Sequence, residues 1–187
     1  MSEELQDFGR AHLFDAEAVG EPGNRRFRLF ARSHTLTAGL WLEREQLEQL
    51  SIAIDRLLAR LSGGEILRPE AMAHIAAPPT APDDFPAHPD LEFQISSMQL
   101  GYDPDHDLIL LRAAPLELIE RKGELLVNED AEPLFSVLLT RAQATRLSSH
   151  LLSILASGRP RCPYCNQPME SRHICEKQNG YHPASLN

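Results

Sequence analysis

RFRLFARSHTLTAGLWLEREQLEQLSIAIDRLLARL, residues 26–61, changes its period midway, and that change sets the fold. From Arg26 to Arg32 polar and apolar residues alternate, with Phe27, Leu29 and Ala31 on one face. This is the pattern of a half-buried strand. Thr35 to Leu42, rich in β-formers, predicts a second strand, paired with the first through a turn near Ser33–His34. Beyond Leu42 the spacing becomes helical. Leu47, Leu50, Ile54, Leu57, Leu58 and Leu61 fall three and four apart and make one apolar stripe on a helix over 44–61,. Gly63 and Gly64 stop it,.

The same grammar returns near the end of the chain. LLTRAQATRL, residues 138–147, shares Leu-x-Arg-x-Gln-x-x-x-Leu with the junction at 41–50. The matching residues are Leu42, Arg44, Gln46 and Leu50 in one, and Leu139, Arg141, Gln143 and Leu147 in the other. Both junctions follow strand runs and open an amphipathic helix. The second helix has Thr140 and Gln143 placed for a capping box and a stripe of Ala144, Leu147, Leu151, Ile154 and Leu155,. Gly158 ends it. Further strands are expected at 11–19, at 91–100, at 108–114 with extension toward Ile119, and at 134–139. The expectation is an α+β body: a layered, mainly antiparallel sheet covered by two helices. A duplicated β-β-β-α unit is one account of the matching junctions; the shared requirements of any strand–cap–helix junction are the other.

Residues 62–90 differ in kind. Six of the chain's 14 prolines fall there, at Pro69, Pro78, Pro79, Pro82, Pro86 and Pro89. They exclude regular structure over most of the stretch, so an exposed connector is expected, with a short helix within 66–75. The body is thus residues 1–158, and the tail 159–187.

The tail holds all three cysteines. GRPRCPYCNQPMESRHICEKQNGYHP, residues 158–183, carries Cys162-x-x-Cys165 and His173-x-Cys175. Two cysteines three apart can turn both thiolates to one side of a tight knuckle. A histidine and a cysteine two apart share one face of an extended strand. The pattern predicts one tetrahedral Zn²⁺ held by Cys162, Cys165, Cys175 and His173, with His182 as the alternative fourth ligand. Such a closed site is structural, because a tail so poor in large apolar residues needs the metal to fold. An iron–sulfur cluster would want a fourth cysteine. An odd, clustered set of thiols makes no disulfide framework and reads as metal ligands in a reducing compartment.

Charge narrows the function classes. The chain is net −9. The tail has Arg159, Arg161, Arg172 and Lys177 against Glu170 and Glu176, so it is net +2 and the body net −11. A body this acidic disfavours a polyanion surface. A nucleic-acid knuckle built on those four cations and Tyr181 therefore ranks third among the functions considered. The start of the chain is acidic and no apolar run approaches the length of a membrane span, which predicts a cytoplasmic protein.

Other motifs read as structural. The aspartates of the 103–107 run, DPDHD, lack the glycine and terminal glutamate of a calcium loop and predict a hairpin turn,. The Gly20-x-x-Gly23 loop precedes a strand rather than a helix, so it is a turn and not a phosphate cradle,. His12, His34, His74, His88, His106 and His150 are scattered, with no nucleophile signature beside them.

Several segments together resemble a bacterial family of conserved hypothetical proteins, mostly from high-GC bacteria, catalogued as a domain of unknown function. They are VGEPGNRRFRLFAR (19–32), LEREQLEQL (42–50), SSMQLGYDPDHDLILLRA (96–113), LTRAQATRLSSHLLSILASGRPRCPYC (139–165) and HICEKQNGYH (173–182). The likeness is most specific in the tail. One departure is at Glu176 and Lys177, where the family usually has Pro-Arg after the third cysteine. The resemblance implies that the architecture and the tail are real elements, and carries no activity. The reading that follows is a non-enzymatic zinc protein acting as adaptor or regulator of another protein. A hydrolase or transferase with its site between the two sheet–helix units is the rival.

Overall fold

The computed structural model describes residues 5–20, 25–63, 80–121, 123–128 and 130–157, together with 162, 164, 165 and 175. In chain order the elements are β1 (Gln6–Asp7), β2 (Leu13–Val19), β3 (Arg26–Arg32), β4 (Thr37–Leu42), α1 (Arg44–Leu61), β5 (Leu91–Asp103), β6 (Leu108–Pro115), β7 (Leu118–Arg121), β8 (Glu124–Val127), β9 (Phe135–Leu139) and α2 (Arg141–Ser157). Seven strands form one sheet in the order β1-β9-β6-β5-β4-β3-β2. Four of its six pairings are antiparallel; β4–β5 and β1–β9 are parallel. The α+β class and the mainly antiparallel sheet are as the sequence predicts. The parallel β4–β5 pair follows from α1, because parallel neighbours need a crossover between them. Among the described residues no helix is long and apolar enough to cross a membrane.

The sheet has to curl. β1 and β2 lie at its opposite edges, yet only residues 8–12 separate them in the chain. Laid flat at about 4.8 Å per strand, the edges would stand about 29 Å apart. The chain from Asp7 to Leu13 spans at most about 20 Å. Side chains close the seam from inside. The Phe135 ring of β9 lies 4.9 Å from that of Phe8 and 6.1 Å from that of Phe14 on β2, centroid to centroid. α2 leaves β9 and docks on β2 across this seam. There His150 Nδ1 meets the buried Asp15 carboxylate at 2.8 and 2.9 Å. We expect Asp15→Ala to lower stability by about 1–3 kcal/mol, since it strands a hydrogen-bonding group. A urea midpoint read in a double-mutant cycle with His150→Leu checks this, and additive losses would refute the coupling.

The two junctions matched in sequence meet in space. Arg44 Nη2 donates to Leu155 O at 3.2 Å, and Arg141 Nη1 donates to Leu61 O at 3.1 Å. α1 and α2 therefore run antiparallel, and the first arginine of each satisfies a terminal carbonyl of the other, where positive charge is favoured. Ser51 and Ser148, at corresponding positions, sit 3.2 Å apart, Oγ to Oγ, in the buried helix interface. Both helix starts are tied alike: Glu43 N and Thr140 N each donate to Oε1 of the glutamine three residues on, at 2.9 Å.

The predicted stripes form the core. Leu47, Leu50 and Ile54 of α1 and Ala144, Leu147, Leu151, Ile154 and Leu155 of α2 are buried. They meet Phe27, Leu29 and Ala31 of β3 and the inward residues of β4, β6 and β9 in one cluster.

Three features differ from the sequence reading. First, the connector is not simply exposed. Its predicted helix at 66–75 lies outside the described residues, but residues 80–90 form a strap against the far side of the sheet. Phe85 packs on buried Phe30 with centroids 5.7 Å apart, Arg32 bonds Asp84 at 2.8 Å, and Ala81 N donates to Glu17 Oε2 at 2.8 Å. The prolines prevent helix and ladder, not docking. Second, the extension of β6 toward Ile119 is a separate strand, β7, paired with β8 about the turn at Gly123. Third, β1 adds a short parallel strand beside β9.

Candidate metal centre

α2 ends at Ser157, whose Oγ accepts a hydrogen bond of 3.2 Å from Arg25 Nη1 at the start of the β3 segment. Five residues later the chain turns at Cys162. The ligand atoms of Cys162, Cys165 and Cys175 all lie within 4.8 Å of one another. Cys162 and Cys175 are buried, with their sulfurs 3.6 Å apart, and no disulfide joins any of the three. Sulfurs bonded tetrahedrally to zinc at about 2.3 Å would be about 3.8 Å apart. The observed separation suits a shared ion.

The knuckle also favours thiolate. The backbone of Cys165 hydrogen-bonds the Cys162 sulfur, and this is the largest influence on it. Burial opposes, while the Tyr164 backbone and the thiols of Cys165 and Cys175 add to the lowering, which brings the Cys162 thiol down to about 6. The backbone groups of Tyr164 and Cys165, the second and third residues after Cys162, converge on its sulfur. The thiolate is the form a metal takes up. The donor set therefore fits a soft or borderline cation.

No histidine joins the three sulfurs among the described residues. His173 and His182, the two candidates for a fourth ligand, lie outside the described residues, as do Arg159, Arg161, Arg172, Lys177 and Tyr181.

The other motifs resolve as turns and ties. Asp103 Oδ1 accepts from the amides of Asp105 and His106 at 3.0 and 3.3 Å, and Asp107 has φ 53°. Asp107 bonds Arg141 Nε at 2.7 Å and Tyr102 Oη at 2.8 Å, which together hold its carboxyl below the usual carboxylate range, Arg141 most strongly. This run fastens the β5–β6 turn to α2. The histidines are less scattered than the sequence suggests. His12 and His34 touch, with ring centroids 3.9 Å apart, and His150 pairs with Asp15. Alternation in β2 gives the face on which Asp15 lies, but not a partner 135 residues away. A hollow of about 370 Å³ lies on the helix pair, lined by Arg44, Glu48, Ser51, Ile52, Leu152, Leu155 and Ala156.

No curated protein matches this chain, and no solved structure does. One family model does match, described as a protein of unknown function, and it covers residues 6–175, from β1 through the third cysteine. The chain belongs to this family, DUF3090.

Proposed function

We propose that the chain is a cytoplasmic zinc protein, non-enzymatic, that serves as an adaptor or regulatory partner of another protein. The observation that carries the metal reading is the convergence of three cysteine sulfurs, two of them buried 3.6 Å apart. His173 completes a closed Cys₃His site, with His182 as the alternative. A closed site of soft thiolates holds the tail in shape and leaves no open position for a reacting water. The adaptor role is supported by a body whose core is filled by apolar side chains and whose polar ties, Asp15–His150 and Arg141–Asp107, are spent on fastening helix to sheet.

Elemental analysis of freshly purified, reduced protein tests the reading. One zinc per chain is expected, retained through gel filtration. His173→Ala should lower zinc affinity while His182→Ala should not; the reverse result would transfer the fourth ligand to His182. Absence of metal from the wild-type chain would overturn the proposal.

A further inference from the structure

The three clustered cysteines are not equally sheltered. Cys162 and Cys175 are buried, whereas Cys165 is half-buried. Tyr164, beside it in the chain, is 58% exposed, so solvent reaches this side of the knuckle. The Cys162 sulfur touches both of the others. It lies 3.6 Å from that of Cys175 and within hydrogen-bonding reach of that of Cys165. Only two residues separate Cys162 from Cys165, and their sulfurs lie within 4.8 Å. A disulfide draws two sulfurs to about 2.05 Å. Here that asks for adjustment of one short turn and leaves the body where it is.

Oxidation of a cysteine follows its thiolate character and its access to solvent, and a second cysteine beside it resolves the product as a disulfide. Metal binding supplies the thiolate, Cys165 the access and Cys162 the resolving sulfur. We propose, resting on the metal reading above, that the knuckle is a peroxide-operated switch: Cys165 is oxidised first, Cys162 closes a disulfide onto it, and the metal is released.

The chemistry closes with hydrogen peroxide as the oxidant. The Cys165 thiolate attacks one peroxide oxygen; the O–O bond breaks, hydroxide leaves and a sulfenic acid forms. The Cys162 thiolate then attacks that sulfur, the S–O bond breaks and a second hydroxide leaves. Together the two sulfurs lose two electrons, the peroxide gains two, and the hydroxides take up protons as two waters. Two anionic ligands have become one neutral disulfide, and Cys175 with a single further ligand is too small a set to keep the ion. A dithiol returns the two electrons and remakes the site. In a reducing compartment such a bridge is transient, as redox-sensing disulfides are.

The full, metal-replete chain tests this, treated with hydrogen peroxide in the presence of a chromophoric zinc chelator. Loss of the one zinc per chain is expected, together with a Cys162–Cys165 bridge in the peptide map, and both should be reversed by dithiothreitol and added zinc. Before peroxide, iodoacetamide on the metal-loaded chain should label Cys165 ahead of Cys162 and Cys175. An untreated chain without zinc would overturn the metal reading and the switch with it. Zinc that is present but stays bound under peroxide would overturn the switch alone. So would release accompanied by sulfinic or sulfonic acid in place of the bridge, a bridge between two chains or to Cys175, or a Cys165 no more reactive than its neighbours.

Discussion

Cys162→Ser should release the metal from the tail and leave the unfolding of the body unchanged. Of the three clustered cysteines, Cys162 is the best prepared to bind a metal. It is buried, it faces Cys175 at 3.6 Å, and backbone hydrogen bonds already favour its thiolate. Serine keeps the shape but offers a hard, protonated oxygen where a soft anion is needed. Removing an outer-shell partner of a metal ligand costs about 10–100-fold in affinity, so loss of a ligand itself should exceed about 100-fold. Competition with a chromophoric chelator measures it. Because the cysteines lie outside the main apolar cluster, calorimetry should find the body's midpoint within a degree or two of wild type. Proteolysis should cut beyond Ser157 in the variant and spare that segment in the metal-loaded wild type. Retention of the metal at wild-type affinity would remove Cys162 from the ligand set. A large drop in the body's midpoint would show that the tail is part of the core.

Phe135→Ala acts at the other extreme of the molecule, on global stability. Its ring is fully buried and fills the seam where β9, the β1 segment and β2 come together. No ladder joins β9 to β2; ring packing closes the seam, together with the Leu138 N to Gly9 O bond of 2.7 Å and the His150–Asp15 tie. Truncating a buried phenylalanine costs about 3–5 kcal/mol, a large part of the total of about 5–15 that domains possess. The seam has rigid neighbours on both sides, Phe8 and Phe14, and cannot collapse far to fill the cavity. Urea unfolding followed by circular dichroism should show a midpoint shift of that size. Leu125→Ala, at a 71% exposed hairpin position, should stay within about 0.5 kcal/mol,. A loss below about 1 kcal/mol at Phe135 would mean that the curled sheet is held by something other than its seam.

Local pattern determined much of this protein. The change of period at Leu42 placed β3, β4 and α1, because strand and helix each impose their own spacing on residues that must face one core,. The Thr140–Gln143 box and the stripe beyond it placed α2 for the same reason. The three cysteines were legible as one site because metal ligands three residues apart must form a tight turn, wherever the rest of the chain goes.

Other features depend on residues that sequence does not relate. Arg44 and Arg141 read as helix starts, yet each completes the far end of the other's helix. The proline-rich strap looked exposed because its composition forbids regular structure; Phe85 on Phe30 shows that side-chain packing needs no regular backbone. The exposed sequence of β7–β8 lacked the alternation of a one-sided strand, because both its faces are open. Periodicity records which face of an element is covered. What covers it, whether Asp15 by His150, Phe14 by Phe135 or one helix end by another's arginine, is decided only when elements far apart in sequence are brought together.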